Sequence, residues 1–262
     1  MTSDITLYRR AMVRAPGPNF AEGLTSVDLG IPVYARALKQ HERYCAALEQ
    51  CGVELICLEP DARYPDGTFV EDTAVITGKG SIITRPGAIS RLGEVESISN
   101  ALREFYPSLH SIQEPSTIDG GDVCQAGSHF FIGLSSRTNE AGAEQLTQLL
   151  ASFGYTSAII DIRDLRGVLH LKSGLAYLGG NRLVVAETLA NRAEFQKYDL
   201  LVVNAGEEYG ANCVLVNTHI LVASGHPLLE ESLQQLGYQT IALEMSEFQK
   251  MDGGISCLSL RF

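Results

Sequence analysis

A thiol, an imidazole and a set of carboxylates recur along this chain at intervals of about 42 to 51 residues. Glu71 and Asp72 come first, then Asp119 in Asp119-Gly120-Gly121-Asp122, His170 in an apolar run, Asn212, and Cys257 in Asp252-Gly253-Gly254-Ile255-Ser256-Cys257. Brought to one place, these groups suit attack by sulfur on a cationic carbon. Sulfur is the polarizable nucleophile, imidazole carries protons near neutral pH, and carboxylates hold the planar N–H fork of a guanidinium through charge-assisted bonds. Taken singly, each residue has a plainer reading. A lone cysteine is usually a buried small side chain, a histidine between leucines is usually hydrogen-bonded core, and Asp-Gly-Gly is a common turn.

The elements around them repeat. A β-rich stretch at 68–77 meets another at 81–84 across Gly78-Lys79-Gly80, and helical spacing runs over 90–106 until Pro107, before a short strand at 109–112. The same order of strand, tight turn, strand, helix and strand returns with strands at 122–126 and 129–134, a helix over 139–153 and a strand at 156–162. A fourth copy has strands at 171–178 and 183–186, a helix near 192–197 and a strand at 200–203. A fifth has strands at 213–216 and 220–223, a helix near 228–236 and a strand at 239–243. The opening strand at 7–13, helix 33–50 and strand 53–58 lack a partner, which the last strand, 255–260, supplies. Each chemical residue falls at or near the first strand of its copy, so a closed ring of copies would gather them on its axis, whereas a linear solenoid would scatter them. An ordinary doubly wound α/β sheet is the alternative at this point.

Composition narrows the function classes. With 20 basic against 31 acidic residues the net charge is −11, and no basic stripe offsets it, so a nucleic-acid partner is not expected. There is no apolar run of membrane-spanning length, and the first ten residues lack the apolar core of a leader peptide. Six cysteines without metal-type or disulfide-framework spacing point to a reducing, cytoplasmic setting. Gly78-Lys79-Gly80 reads as a hairpin and not as a phosphate loop.

The chain resembles the dimethylarginine dimethylaminohydrolases of the guanidino-group modifying superfamily over essentially its whole length. The resemblance is carried by Gly23-Leu24-Thr25-Ser26, Pro65-Asp66-Gly67-Thr68-Phe69-Val70-Glu71-Asp72, Ile83-Thr84-Arg85-Pro86-Gly87-Ala88, Asp119-Gly120-Gly121-Asp122, Ser136-Arg137-Thr138-Asn139, Leu169-His170-Leu171-Lys172-Ser173, Ala211-Asn212-Cys213 and the 252–257 segment. It implies one catalytic domain over residues 1–262, a five-bladed β/α propeller of fivefold pseudosymmetric ββαβ modules, with neither cofactor nor metal. It also implies hydrolysis of Nω-methylated arginines to citrulline and a methylamine through a covalent S-alkylthiouronium on Cys257.

His170 is then the acid and base, and Asp119 its orienting carboxylate, where some relatives carry Glu. Asp66, Glu71 and Asp72 are expected to hold the guanidinium, and Arg85 and Arg137 the α-carboxylate. Leu24 and Met251 would contribute through backbone, Asp252 through negative charge, and the glycine-bearing stretch 17–30 through a flexible lid. The expected partner is a small cationic amino acid; homo-oligomerisation is left open. The thiol is expected to be neutral in the free protein, because carboxylates surround it, and to ionise once a guanidinium arrives. Two other readings stand beside this one: a deiminase or hydrolase of arginine or another Nω-substituted arginine, and a noncatalytic binder of cationic amino acids.

Overall fold

A computed structural model describes residues 7–165 and 167–262; residues 1–6, which bear on the leader-peptide reading, lie outside it. Its fifteen strands form five separate three-stranded sheets. Each sheet has the same plan: an inner strand antiparallel to a middle one, and an outer strand parallel to the middle one. The antiparallel pair closes through a tight turn, as at Ala74–Thr77 and Gly80–Ile83. The parallel pair needs a crossover, which helices supply: Tyr34–Gln50, Val95–Leu102, Glu140–Ser152 and Pro227–Gln235. The first sheet is closed from both ends of the chain, with Ser259–Arg261 as the inner strand beside Arg10–Arg14, and Glu54–Leu58 outside.

The core shows why the sheets form a ring. Successive side chains of a strand point to opposite faces, so each middle strand serves two neighbours. Phe130 and Ile132 pack toward the second blade with Val75 and Ile82, while Phe131 packs toward the fourth with Leu175 and Leu183. Val184 then faces Ile220 and Val222 of the fifth blade, and Leu221 faces Ala11 and Val13 of the first. Met12 closes the circle against Ile83 of the second. Five apolar wedges thus link five blades in order, and the pseudosymmetric ββαβ propeller expected from the sequence is the fold observed.

Three local features depart from expectation. The helix expected over 90–106 is a 3-10 segment, Ile89–Glu94, followed by a shorter α-helix, Val95–Leu102. The helix expected near 192–197 is replaced by two single 3-10 turns, Glu187–Leu189 and Ala193–Phe195, which still bury Leu189 and Phe195. The third departure matters most for the site. Each inner strand begins later than expected because a 3-10 turn precedes it: Val70–Thr73, Gly120–Asp122, Leu171–Ser173, Glu208–Ala211 and Ser256–Leu258. The chemical residues ride on these turns or cap them.

Candidate active site

Three of the five turns contribute to a cavity of about 30 Å3: Val70–Thr73, Leu171–Ser173 through its capping residue His170, and Ser256–Leu258. Cys257, His170, Asp66, Asp72, Arg137, Leu24, Met251 and Asp252 line it, joined by Arg91, Phe69, Leu169 and Gly253. Asp119 stands directly behind His170, with Oδ2 3.1 Å from Nε2 and Oδ1 accepting from the Gly87 amide at 2.8 Å. Cys257 lies in the turn Ser256–Leu258, and the Gly254 amide donates to its Sγ at 3.4 Å. Asn212 ties this turn to the histidine's turn. Its Oδ1 accepts from the Ser256 amide at 2.9 Å, and its Nδ2 donates to the Lys172 carbonyl at 2.7 Å.

Close approach makes one glycine obligatory. A Cβ on Gly121 would sit 2.7 Å from His170 Nδ1 and 2.8 Å from Asp72 Oδ1, so any side chain there would push imidazole and carboxylate apart. The same residue's amide donates to Asp72 Oδ1 at 2.8 Å. Asp72 is further fixed by Arg91, whose Nη1 donates to Oδ2 at 2.6 Å while its other nitrogens engage Glu94.

The electrostatics follow from burial among charges. The Cys257 thiol is pushed up to about 12 by burial and by the Glu71 and Asp72 carboxylates, so it is protonated at neutral pH in the free protein. Burial alone would lower His170, but Asp72, Asp122 and Asp119 outweigh it and raise the imidazole to about 9. Burial lifts the Asp66 carboxyl above its ordinary value, whereas His170 and Arg91 overcome burial and hold Asp72 below its own. Asp72, Asp119 and His170 bring their ligand atoms within 4.8 Å of one another, near enough for a metal. Each also engages a neighbour: Asp72 accepts from Arg91, Asp119 from Gly87, and His170 Nε2 meets Asp119.

Two residues expected in the site sit elsewhere. Glu71 faces the opposite side of the ring axis, where it accepts from Lys172 at 2.7 Å, Arg261 at 3.2 Å and Ser256 Oγ at 2.7 Å. It is one residue from Asp72, but the turn sends the two carboxylates to different places. Arg85 lies outside the cavity, with Nη2 3.5 Å from the exposed carboxylate of Glu114. Arg91 stands in the cavity wall, and sequence reasoning passed over it. Its signal was the spacing Arg91-Leu92-Gly93-Glu94, an i,i+3 pair at the start of a helix where two buried charges need each other. Leu24 and Asp252 form the lip: Leu24 N donates to Asp66 Oδ1 at 3.0 Å, and Ser26 N to Asp252 Oδ2.

Comparison with known proteins places the chain in a family. The family model "N,N dimethylarginine dimethylhydrolase, eukaryotic" matches residues 32–205. The N(G),N(G)-dimethylarginine dimethylaminohydrolase of Pseudomonas aeruginosa is 42% identical over 98% of this chain and 100% of its own. The chain belongs to the dimethylarginine dimethylaminohydrolase family. A second dimethylarginine dimethylaminohydrolase, from Streptomyces coelicolor, is 34% identical over 97% of this chain and 96% of its own. The solved structure of the Pseudomonas aeruginosa protein, a cysteine-to-serine variant complexed with citrulline, superposes with a TM-score of 0.95 over 98% of this chain and 100% of that one. The N-terminal domain of ArgZ, an arginine dihydrolase, shares the propeller with a TM-score of 0.86 at 18% identity, and at that identity only the fold is shared. Among the described residues no helix is long and apolar enough to cross a membrane.

Proposed function

We propose that this protein hydrolyses Nω-methylated arginines, asymmetric dimethylarginine and monomethylarginine, to citrulline and a methylamine, with residues 1–262 acting as one catalytic domain. One observation carries the reading: a protonated thiol and a protonated imidazole share a small cavity with two carboxylates, Asp66 and Asp72, in a dimethylarginine dimethylaminohydrolase family chain. The solved relative complexed with citrulline supports the product, and a histidine-to-glycine variant in adduct with S-methyl-L-thiocitrulline supports an amino acid bearing a guanidine-like carbon as the ligand.

Binding comes first. The guanidinium lies between Asp66 and Asp72, and Arg137, whose buried Nη1 has no partner in the free protein, takes the α-carboxylate. Arg91 acts through Asp72, which it keeps ionised. The arriving cation offsets the carboxylates that hold the thiol protonated, and Cys257 ionises, its proton passing to solvent because His170 already carries one. The thiolate adds to the guanidinium carbon. As the tetrahedral carbon collapses its C–N bond breaks, and His170 gives a proton to the departing amine, leaving an S-alkylthiouronium. The now neutral imidazole takes a proton from water, whose oxygen adds to the same carbon. The C–S bond then breaks, sulfur departs with the electron pair and takes up the proton of the new hydroxyl, which restores the thiol and releases neutral citrulline. Asp119 keeps the ring oriented through both halves. The free cysteines suit a reducing compartment, and we place the enzyme in the cytoplasm.

Parallel assays with arginine, monomethylarginine and asymmetric dimethylarginine, reading citrulline and released amine, test the assignment. Methylamine release with little turnover of arginine supports it; ammonia from arginine as the main reaction makes the protein a deiminase. Saturable binding of all three without citrulline makes it a binder.

A further inference from the structure

One buried carboxylate has no part in the scheme above. Asp122 is fully buried and closes the turn Gly120–Asp122, three residues beyond Asp119. Its Oδ2 accepts two hydroxyl protons at 2.6 Å, from Ser135 Oγ and Thr138 Oγ1, and its Oδ1 accepts the Leu171 amide at 3.0 Å. These partners lead to both ends of the substrate. Leu171 follows His170 directly. Ser135 and Thr138 flank Arg137, and Ser135 Oγ in turn accepts the Arg137 amide at 3.0 Å and the Thr138 amide at 3.1 Å. Thr138 Oγ1 accepts the Asp119 amide at 3.2 Å, which returns the network to the carboxylate behind the histidine.

We propose that Asp122 is a positioning residue that fixes the separation and orientation of His170 and Arg137, and so sets where the reacting carbon lies when the α-carboxylate is bound. The proposal rests on the functional reading above. An ionised carboxylate satisfies the whole hydrogen-bond pattern. Ser135 Oγ already accepts two backbone N–H groups, so it must donate to Asp122; Leu171 offers only a proton, and Thr138 Oγ1 donates to the same oxygen as Ser135. An amide in its place would set its NH2 against the Leu171 N–H or against the Ser135 hydroxyl, both of them donors, leaving buried polar groups unpaired whichever way it faced. The negative charge also bears on the imidazole, which faces Asp72 with its partner Arg91, Asp119, Asp122 and the Cys257 thiol. Burial raises the Asp122 carboxyl to about 6, still ionised at neutral pH.

Asp122→Asn and Ser135→Ala separate positioning from simple packing. Asp122→Asn should raise KM and lower kcat for dimethylarginine, each about 10-fold or more, and shift the His170 titration, followed by NMR of the imidazole, down by about one unit. Ser135→Ala disturbs only the Arg137 limb, so KM should rise about 3- to 10-fold while kcat and the His170 titration hold. Asp122→Asn with lowered thermal stability but unchanged KM, kcat and His170 titration overturns the proposal. Should that variant not fold, Ser135→Ala decides alone, and an unchanged KM is the negative result. Should the wild-type protein turn over no methylated arginine, the functional reading fails. The NMR titration of Asp122→Asn then still tests the coupling to His170, and an unmoved titration refutes it.

Discussion

The two hollows at the centre of the ring, one lined by turns and loops and the other by inner strands of all five sheets, differ in size and in charge. The first, a cavity of about 30 Å3, is crowded with Asp66, Asp72, Arg91, Arg137 and His170 around a thiol. The second, a channel of about 470 Å3, runs between apolar strands and the rings of Tyr8, Tyr106, Tyr155 and Tyr177, with Glu71, Lys172 and Arg261 as its charged groups. Adjacent carboxylates serve the two hollows. Asp72 is tied to one arginine and turned toward the place where a cation would arrive, whereas Glu71 is already closed upon a lysine and an arginine. A buried charge left partly open to a ligand marks a site for chemistry; one saturated by its own chain marks a joint. The joint here holds the turns of His170 and Cys257 from behind, since Lys172 is two residues past His170 and Ser256 one before Cys257.

The comparison can be broken most forcefully at the reactive hollow. Cys257→Ser should abolish citrulline formation while retaining affinity for dimethylarginine, and His170→Ala should cost about 10²- to 10⁴-fold in kcat; turnover near wild type in either removes that residue from the scheme. Next come the paired carboxylates. Asp72→Asn strips Arg91 of a buried partner and the substrate of a ligand, so it should destabilise by about 3–5 kcal/mol and also raise KM steeply. Glu71→Gln should show a comparable loss in a urea titration with a much smaller rise in KM. Its Cys257 thiol should titrate lower than in the wild type, because one of the charges that raise it is gone. Equal KM effects in the two variants would erase the distinction between the hollows.

A subtler test uses pH. The folded His170 titrates at about 9, above the 6.5 of an exposed imidazole, so the stability its protonation contributes is fully present below pH 6.5 and is lost as pH rises through 9. Urea midpoints of the wild type should fall across that window, and those of His170→Gln should fall less. The smallest effect belongs to Arg85→Ala. With a half-exposed pairing to Glu114, it should change stability by no more than about 0.5 kcal/mol and leave kcat/KM within about twofold.

Much of this was legible before any coordinates, for identifiable reasons. Alternating strands joined by Gly78-Lys79-Gly80 announce a hairpin, and recurrence of the unit with its chemical residues in step announces a ring. The short turns ahead of the inner strands were not legible, because three or four residues of 3-10 helix show no periodicity. Reading Val70–Thr73 as strand hid the twist by which Asp72 lines the small cavity while Glu71 turns the other way. The arginine was misplaced for a related reason. Arg85 sits in a conspicuous Arg-Pro-Gly run, yet its backbone is pinned by a bridge to Ile118 and its side chain looks outward. Arg91 is unremarkable in sequence and reaches the site only because the segment Ile89–Glu94 packs over Phe69 and Asp66. In the fourth blade two 3-10 turns do the work of a helix, since burying Leu189 and Phe195 requires two anchors and not a periodic face.

The lip over the cavity is fastened by the carboxylates that would greet an incoming cation: Asp66 grips Leu24, and Asp252 grips Ser26. A guanidinium donates N–H groups as the Leu24 amide does, so an arriving cation competes with the lip for Asp66. Admission and recognition thereby become a single exchange of partners at one carboxylate, and weakening that clasp would speed arrival and departure together.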